Sequence, residues 1–308
     1  MLELIACIAI AFAIGSNDTS NSYGICIGCG VLSLRRAIYL LFILVLIGLV
    51  IGGRNVMETV GGNIAEVDER IVTIPLLLAS IAIVLANVLK MPVSSHQAVV
   101  AGIIGSALAL GKSVNTSTVI EIVLSWIISP FGAFVFAVIV YKLLEVLSSK
   151  IPMFKLENII KKLLFISGSI IAFNTGANEL ATALAPAVHY GILNQIQAGI
   201  LGAFTLFLGA RIVSHRVIET IGKGITALDP FSGFSAQFGA GITVLLFTIL
   251  GMPVSTTYCI VGAVSGVGLY KGLRSVRIGF LKRIVASWII TPLIALILSY
   301  VVTVITLL

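Results

Sequence analysis

Two short polar stretches lie inside otherwise apolar sequence, and they repeat each other. The first is Gly15-Ser16-Asn17-Asp18-Thr19-Ser20-Asn21-Ser22. The second, 161 residues further on, is Gly176-Ala177-Asn178-Glu179-Leu180-Ala181-Thr182-Ala183. Residues i and i+4 share a helix face, so Asn17 and Asn21 point together, as do Asn178 and Thr182. Carboxylates, amide oxygens and hydroxyls are hard donors. With backbone carbonyls freed by a helix break, expected at Gly15, they suit a small cation such as Na+. Asn17, Asp18, Asn21, Asn178, Glu179 and Thr182 are therefore candidate cation ligands. A carboxylate at membrane depth costs at least about 2.5 kcal/mol and persists there when it has a partner or a task. The plainer alternative is an interfacial loop at a helix end, and the apolar sequence on both flanks argues against it.

A second matched pair carries hydroxyls. Pro92-Val93-Ser94-Ser95 corresponds to Pro253-Val254-Ser255-Thr256, followed by Thr257, at the same offset of 161. Each precedes a helix-like run of small residues. Ser and Thr are good N-caps, and a helix start offers free N–H groups and the positive end of the helix dipole. That combination suits an anion. Ser94, Ser95, Ser255, Thr256 and Thr257, with Asn17 and Asn178, are candidate ligands for a tetrahedral oxyanion held from two sides. Ordinary capped turns are the alternative, weakened by the pairing. Glu58 and Glu219 form a third pair, in Val56–Gly61 and Val217–Gly222; each caps a helix or assists the site. His96 stands beside the paired serines, which leaves a proton-sensitive role open. Cys26 and Cys29 have the CxxC spacing without a βαβ context, and packing is their better use.

The elements that must position these residues are membrane helices. The chain has 308 residues, 59% hydrophobic and 10% charged, with a mean hydropathy of +1.17. A soluble domain carries roughly 25% charged residues. The net charge of +7 does not mark a nucleic-acid protein, because the basic residues lie between apolar runs. Ten runs approach the ~20 residues that a span needs, five in residues 1–155 and five in residues 156–308. The first begins at Leu4, carries Glu3 and no Lys or Arg, and reads as half of a membrane segment rather than a signal peptide. The fifth run of each half holds a proline, Pro130 or Pro292, which predicts a kink or two shorter segments. Runs three and four are either two spans or a re-entrant hairpin with Pro92–Ser95 at its tip.

Four motifs match between the halves, three at an offset of 161 and Trp126–Pro130 with Trp288–Pro292 at 162, so the chain is an internal duplication. Five crossings per half is odd, so the second copy enters from the opposite side. Sixteen of the 19 Lys and Arg residues fall to the side away from the N-terminus and three fall to the other. By the positive-inside rule the rich side is cytoplasmic and both termini face outside. The expected fold is an all-α polytopic membrane protein with two inverted-topology repeats of about five segments each, containing discontinuous or re-entrant helices.

At these residues the sequence resembles the inorganic phosphate transporter (PiT) family. Its GANDVANA-like motifs are similar to Gly15–Ser22 and Gly176–Ala183, its PVSTTH-like motifs to Pro92–His96 and Pro253–Tyr258, and its Glu-Thr pairs to Glu58-Thr59 and Glu219-Thr220. The resemblance spans nearly the whole chain. It implies sodium- or proton-coupled phosphate uptake, an inverted-repeat fold and a homodimer in the bilayer. It assigns the phosphate and cation site to Asn17, Asp18, Asn21, Ser94, Ser95, Asn178, Glu179, Ser255, Thr256 and Thr257. The chain departs from the pattern at Ser16, Glu179 and Thr182. It also lacks the large cytoplasmic insert of animal members, which points to a compact prokaryotic protein of the cell membrane. Some members move sulfate. The expected activity is secondary active uptake of phosphate with Na+ as the coupling ion and no cofactor. A proton-coupled sulfate or other oxyanion permease is the alternative. An anion channel and a lipid-modifying enzyme are the rivals from other classes; no Walker, GxSxG or HExxH motif supports catalysis.

Overall fold

A computed structural model describes residues 2–65, 69–88, 93–149, 151–213, 229–272 and 278–307. These residues are almost entirely helical. In the first half α1 spans Leu2–Gly28, α2 Leu34–Gly52 and α3 Arg54–Glu58, which runs into a π-helical turn at Thr59–Asn63. Then come α4, Glu69–Val88, α5, Ser95–Ala109, and α6, Thr116–Ser148. In the second half α7, Met153–Asn174, continues through a π-helical turn at Thr175–Leu180 into α8, Ala181–His189. It is followed by α9, Gln195–Val213, α10, Pro230–Ile249, α11, Thr256–Lys271, and α12, Ile278–Leu307. Six of the described helices are long and apolar enough to cross a membrane.

Packing between the halves is reciprocal. Helix α5 lies against α12, and α11 lies against α6; α1 packs on α9, and α2 on α7. Small residues set these contacts, as is usual where helices approach without a hydrophobic driving force. Gly15 sits on the Leu206 backbone, and Gly176 sits on the Val45 backbone, so closely that no Cβ would fit. Gly48 meets the Phe173 carbonyl, and Gly209 meets that of Phe12. In each pair every residue is displaced by 161 from its counterpart. Helices α1 and α7 run antiparallel. Ser22 meets Thr175, Tyr23 meets Ser169 and Cys26 meets Leu164, so numbers rise along one helix as they fall along the other.

Three expectations are corrected. Gly15 does not break the first run: α1 is one unbroken helix of 27 residues. Its glycine serves close packing, and its polar side chains find partners in neighbouring helices without backbone distortion. Only the second polar stretch departs from α geometry, through its π turn. The runs holding Pro130 and Pro292 are not divided either; α6 is one helix of 33 residues and α12 one of 30. Finally, Glu58 neither caps a helix nor reaches the interior. It is exposed and paired with Arg54 at 2.8 Å, while its counterpart Glu219 lies outside the described residues.

Candidate functional site

The helix starts expected at the hydroxyl motifs are present. Ser94 caps α5, its Oγ accepting from the Gln97 N–H at 3.4 Å. Ser255 caps α11 in the same way, accepting from the Tyr258 N–H at 3.4 Å. Helix α5 packs on α4, and α11 packs on α10 after a short connection at 250–255, so each pair is a helical hairpin. Their tips reach the middle of the polar helices rather than their ends. Ser95 Oγ donates to Asp18 Oδ2 at 3.5 Å, and Asp18 lies well inside α1. Asn178, in the π turn, grips the other tip. Its Nδ2 donates to the Met252 carbonyl at 3.0 Å and to Thr248 Oγ1 at 2.8 Å, and its Oδ1 accepts from the Val254 N–H at 3.1 Å.

Around these tips the structure gathers the candidate residues of both halves. Asn21 Nδ2 donates to Asp18 Oδ1 at 3.1 Å and to Thr257 Oγ1 at 2.8 Å, tying the first polar stretch to the second hydroxyl motif. The carboxyl groups of Asp18 and Glu179 are neighbours. Thr256 lies beside Glu179 and His96 beside Asn178. Thr182 donates its hydroxyl to the Asn178 carbonyl at 2.8 Å, so it braces the turn that presents Asn178. Asn17 is buried with the rest, and none of these residues is more than 5% exposed. Glu58 stays outside this group.

Sequence reasoning missed two contributors. Tyr258 donates its hydroxyl to Gln97 Oε1 and stacks on Trp288 with ring centroids 3.9 Å apart. Gln97 and Tyr258 are counterparts at the offset of 161. They were visible as the residues that follow the two hydroxyl motifs, but Gln and Tyr look unrelated. Trp126 Nε1 donates to the Pro253 carbonyl at 2.8 Å, supporting the second tip. Its part of a repeated Trp-Ile-Ile-Ser/Thr-Pro motif was the signal available.

The chemistry of the site follows from what remains unsatisfied. Buried polar atoms are nearly always hydrogen bonded. Here Asn21 Oδ1, Glu179 Oε2, Thr256 Oγ1 and His96 Nε2 are buried outside hydrogen-bonding geometry. Three of them are hard oxygens beside two adjacent carboxyl groups, a donor set that suits a small cation. Two carboxylates side by side in a low-dielectric interior repel each other, and a bound cation relieves that repulsion. The helix starts at Ser95 and Thr256 supply N–H groups and hydroxyls for an anion alongside.

The chain is similar to known transport proteins over nearly its whole length. A protein of Methanocaldococcus jannaschii named "putative phosphate permease" is 36% identical over 98% of this chain and 96% of its own. The sulfate permease CysP of Bacillus subtilis is 29% identical over 94% of this chain and 83% of its own. A solved structure described as the sodium-dependent phosphate transporter superposes with a TM-score of 0.89 at 26% identity, covering 99% of this chain and 98% of that one. Residues 14–299 match the phosphate transporter family, and with the matched motifs meeting in one buried site, the chain belongs to that family.

Proposed function

We propose that the protein is a secondary transporter that takes up inorganic phosphate with Na+ through this central site. The observation that carries the reading is the meeting of counterparts. Asp18 neighbours Glu179 and Gln97 bonds Tyr258, each pair displaced by 161 residues. A residue meets its own counterpart where the axis relating two copies passes. The site therefore lies on the pseudo-twofold of two inverted repeats, residues 1–155 and 156–308. Antiparallel α1 and α7 and the reciprocal glycine contacts support the same relation. A solute on such an axis lies at the interface of the two repeats, from which each side of the membrane can be reached in turn.

Phosphate is held between the starts of α5 and α11 by Ser94, Ser95, Ser255, Thr256 and Thr257, with Asn17 and Asn178 alongside. Na+ is held by Asp18, Glu179, Asn21 and nearby oxygens of Asn17, Asn178 and Thr182. An oxyanion beside two carboxylates is repelled unless cations intervene, which couples the two solutes. The sodium-dependent neighbour supports Na+ as the coupling ion. With every site residue buried, exchange requires one bundle to move against the other. With α4–α5 a hairpin, Lys90 leaves the count, and 15 of the other 18 basic residues on one side make that side cytoplasmic,.

The sulfate permease relative supports a second reading, in which the same site takes sulfate. Uptake of labelled phosphate and of labelled sulfate into proteoliposomes, with and without a Na+ gradient, separates the two. Phosphate accumulation driven by Na+ is expected. Sulfate accumulation without phosphate accumulation overturns the substrate, and uptake driven by a proton gradient alone overturns the coupling ion.

A further inference from the structure

The two halves differ in the interior that leads away from the site. Between α1, α7 and α10 runs a seam of buried polar groups. Ser22 Oγ pairs with Thr175 Oγ1 at 3.2 Å. Gln237 Nε2 donates to the Ser22 carbonyl. Gln237 Oε1 accepts from Ser167 Oγ at 3.2 Å and from Cys26 Sγ at 3.5 Å. Asn174 Nδ2 donates to the Gly241 carbonyl at 2.9 Å, while its Oδ1 is buried outside hydrogen-bonding geometry. The seam starts next to Asn21 and follows α10 toward its first turn. There Asp229 caps the helix and pairs with Lys271 at 2.7 Å in a half-exposed position. Polar groups thus run from the buried site along α10 as far as Gln237, and Ile25 and Leu164, packed at Gly233, separate them from the capped end.

The positions equivalent to these six seam residues in the opposite half carry no polar side chain. The residues displaced by 161 from Ser22, Cys26, Ser167, Asn174, Thr175 and Gln237 are Ala183, Ala187, Ala6, Ala13, Ile14 and Leu76. All six are apolar, buried and part of the main hydrophobic core. Repeats that share backbone packing and differ at every one of six equivalent interior positions have been built for different tasks.

Resting on the transport reading above, we propose that the α1–α7–α10 seam is the route by which solute and water pass between the central site and the Lys271 end, with Gln237 as its positioning residue. Parting two apolar faces exposes them to water and is opposed by the hydrophobic effect. Parting hydrogen-bonded polar faces lets water replace each bond at little cost. Gln237 holds α1 and α7 together when the seam is closed, and its amide is free to hydrate when α10 moves away. The apolar counterpart forms a dry seal on the other side.

Native cysteines provide the test. Cys26 lies in the seam, half-buried Cys29 sits near the Lys271 end beside Gly233, and Cys7 lies in the apolar half near Pro186 and Ala187. A charged, membrane-impermeant maleimide is applied from the Lys271 face to the full chain in vesicles, and modification is read for each cysteine by peptide mass spectrometry. Cys29 reports access to that face. Cys26 is expected to react about tenfold faster than Cys7, and faster with Na+ and phosphate present than without. The variant Gln237→Leu, which copies Leu76, is expected to lower maximal uptake about tenfold with KM little changed. Cys26 reacting no faster than Cys7 in every condition, or Gln237→Leu transporting at the wild-type rate, overturns the route. The thiol measurement needs no solute to be named, so failure of phosphate to accumulate in wild-type vesicles would strike the transport reading and leave the seam to be judged on its own.

Discussion

The first polar stretch, Gly15–Ser22, and its counterpart, Gly176–Ala183, occupy equivalent places and are constructed differently. The first is a regular turn of the unbroken α1, and its side chains do the linking: Asn21 reaches Asp18 and Thr257, and Asp18 accepts from Ser95. The second is wound into a π turn, a distortion common at functional sites, and it links through one residue, Asn178, which makes three bonds to the α10–α11 hairpin of its own half. Glu179 keeps one carboxylate oxygen unengaged. The first stretch thus reaches across to the other half through Asn21, and the second holds the hairpin tip of its own half while leaving its acid open. A duplicated sequence can therefore yield a symmetric frame with an asymmetric centre.

The largest expected effect comes from removing either carboxylate. Asp18→Asn and Glu179→Gln should each lower Na+-driven uptake by about 100-fold or more, the scale of breaking a buried charge pairing. Equal losses would make both acids obligatory despite their different surroundings. Glu179→Asp, which restores symmetry with Asp18, should retain measurable uptake. Should Glu179→Gln transport normally, the two halves would not share the cation, and the meeting of counterparts would be only structural.

Next come the glycines that let the halves interlock. Gly15→Ala and Gly176→Ala each place a methyl group against a backbone, of Leu206 and of Val45 respectively. Each should destabilise by about 1–3 kcal/mol, read as a lower Tm in detergent. Similar shifts are expected, because the frame is reciprocal. A large shift in one and none in the other would break the claim that the halves share a frame.

The frame was legible in the sequence because it rests on repetition. Glycines and hydroxyl caps recur at an offset of 161 and the Trp-Pro motifs at 162, and hairpin tips meeting at the site follow from caps that precede short apolar runs. What was not legible depends on packing. An apolar run broken by Asn and Asp looks the same whether its backbone continues, as in α1, or widens, as at Thr175–Leu180. The bond between Tyr258 and Gln97 joins unlike residues, so only the axis between them makes it intelligible. Glu58 matched Glu219 as well as any site residue did, yet it faces outward to Arg54; matching detects the duplication and does not sort frame from site.

A smaller effect follows from the Asn21 and Thr182 exchange. Thr182 spends its hydroxyl on the Asn178 carbonyl. Thr182→Asn would supply the amide that the first half has in Asn21 and loosen that brace. A shift of about two- to fivefold in the Na+ concentration for half-maximal uptake is expected, with phosphate KM nearly unchanged, on the scale of one hydrogen bond. A change in phosphate KM alone would place Thr182 with the anion instead.

The smallest effect concerns the outer ends of the hairpins. Asp229 caps α10 and pairs with Lys271, whereas the residue displaced by 161 from Lys271 is Leu110, which carries no charge. Burial raises the Asp229 carboxyl. The Lys271 ammonium and the N–H and hydroxyl of Ser232 outweigh burial and pull it down to about 2. An unfolded Asp titrates near 3.9. Its folded value is the lower one, so its contribution to stability is present above about pH 4 and is lost as pH falls toward about 2. The pair is half-exposed, which limits the effect to about 1 kcal/mol or less. The Tm difference between wild type and Asp229→Asn should therefore be constant above about pH 4 and shrink below it. Lys271→Leu, which copies Leu110, should abolish most of that pH dependence. A Tm difference that is flat from pH 5 to pH 2 would mean that packing, and not the Asp229–Lys271 pair, anchors the second hairpin at its outer end, and would remove this ion pair from the contrast between the halves.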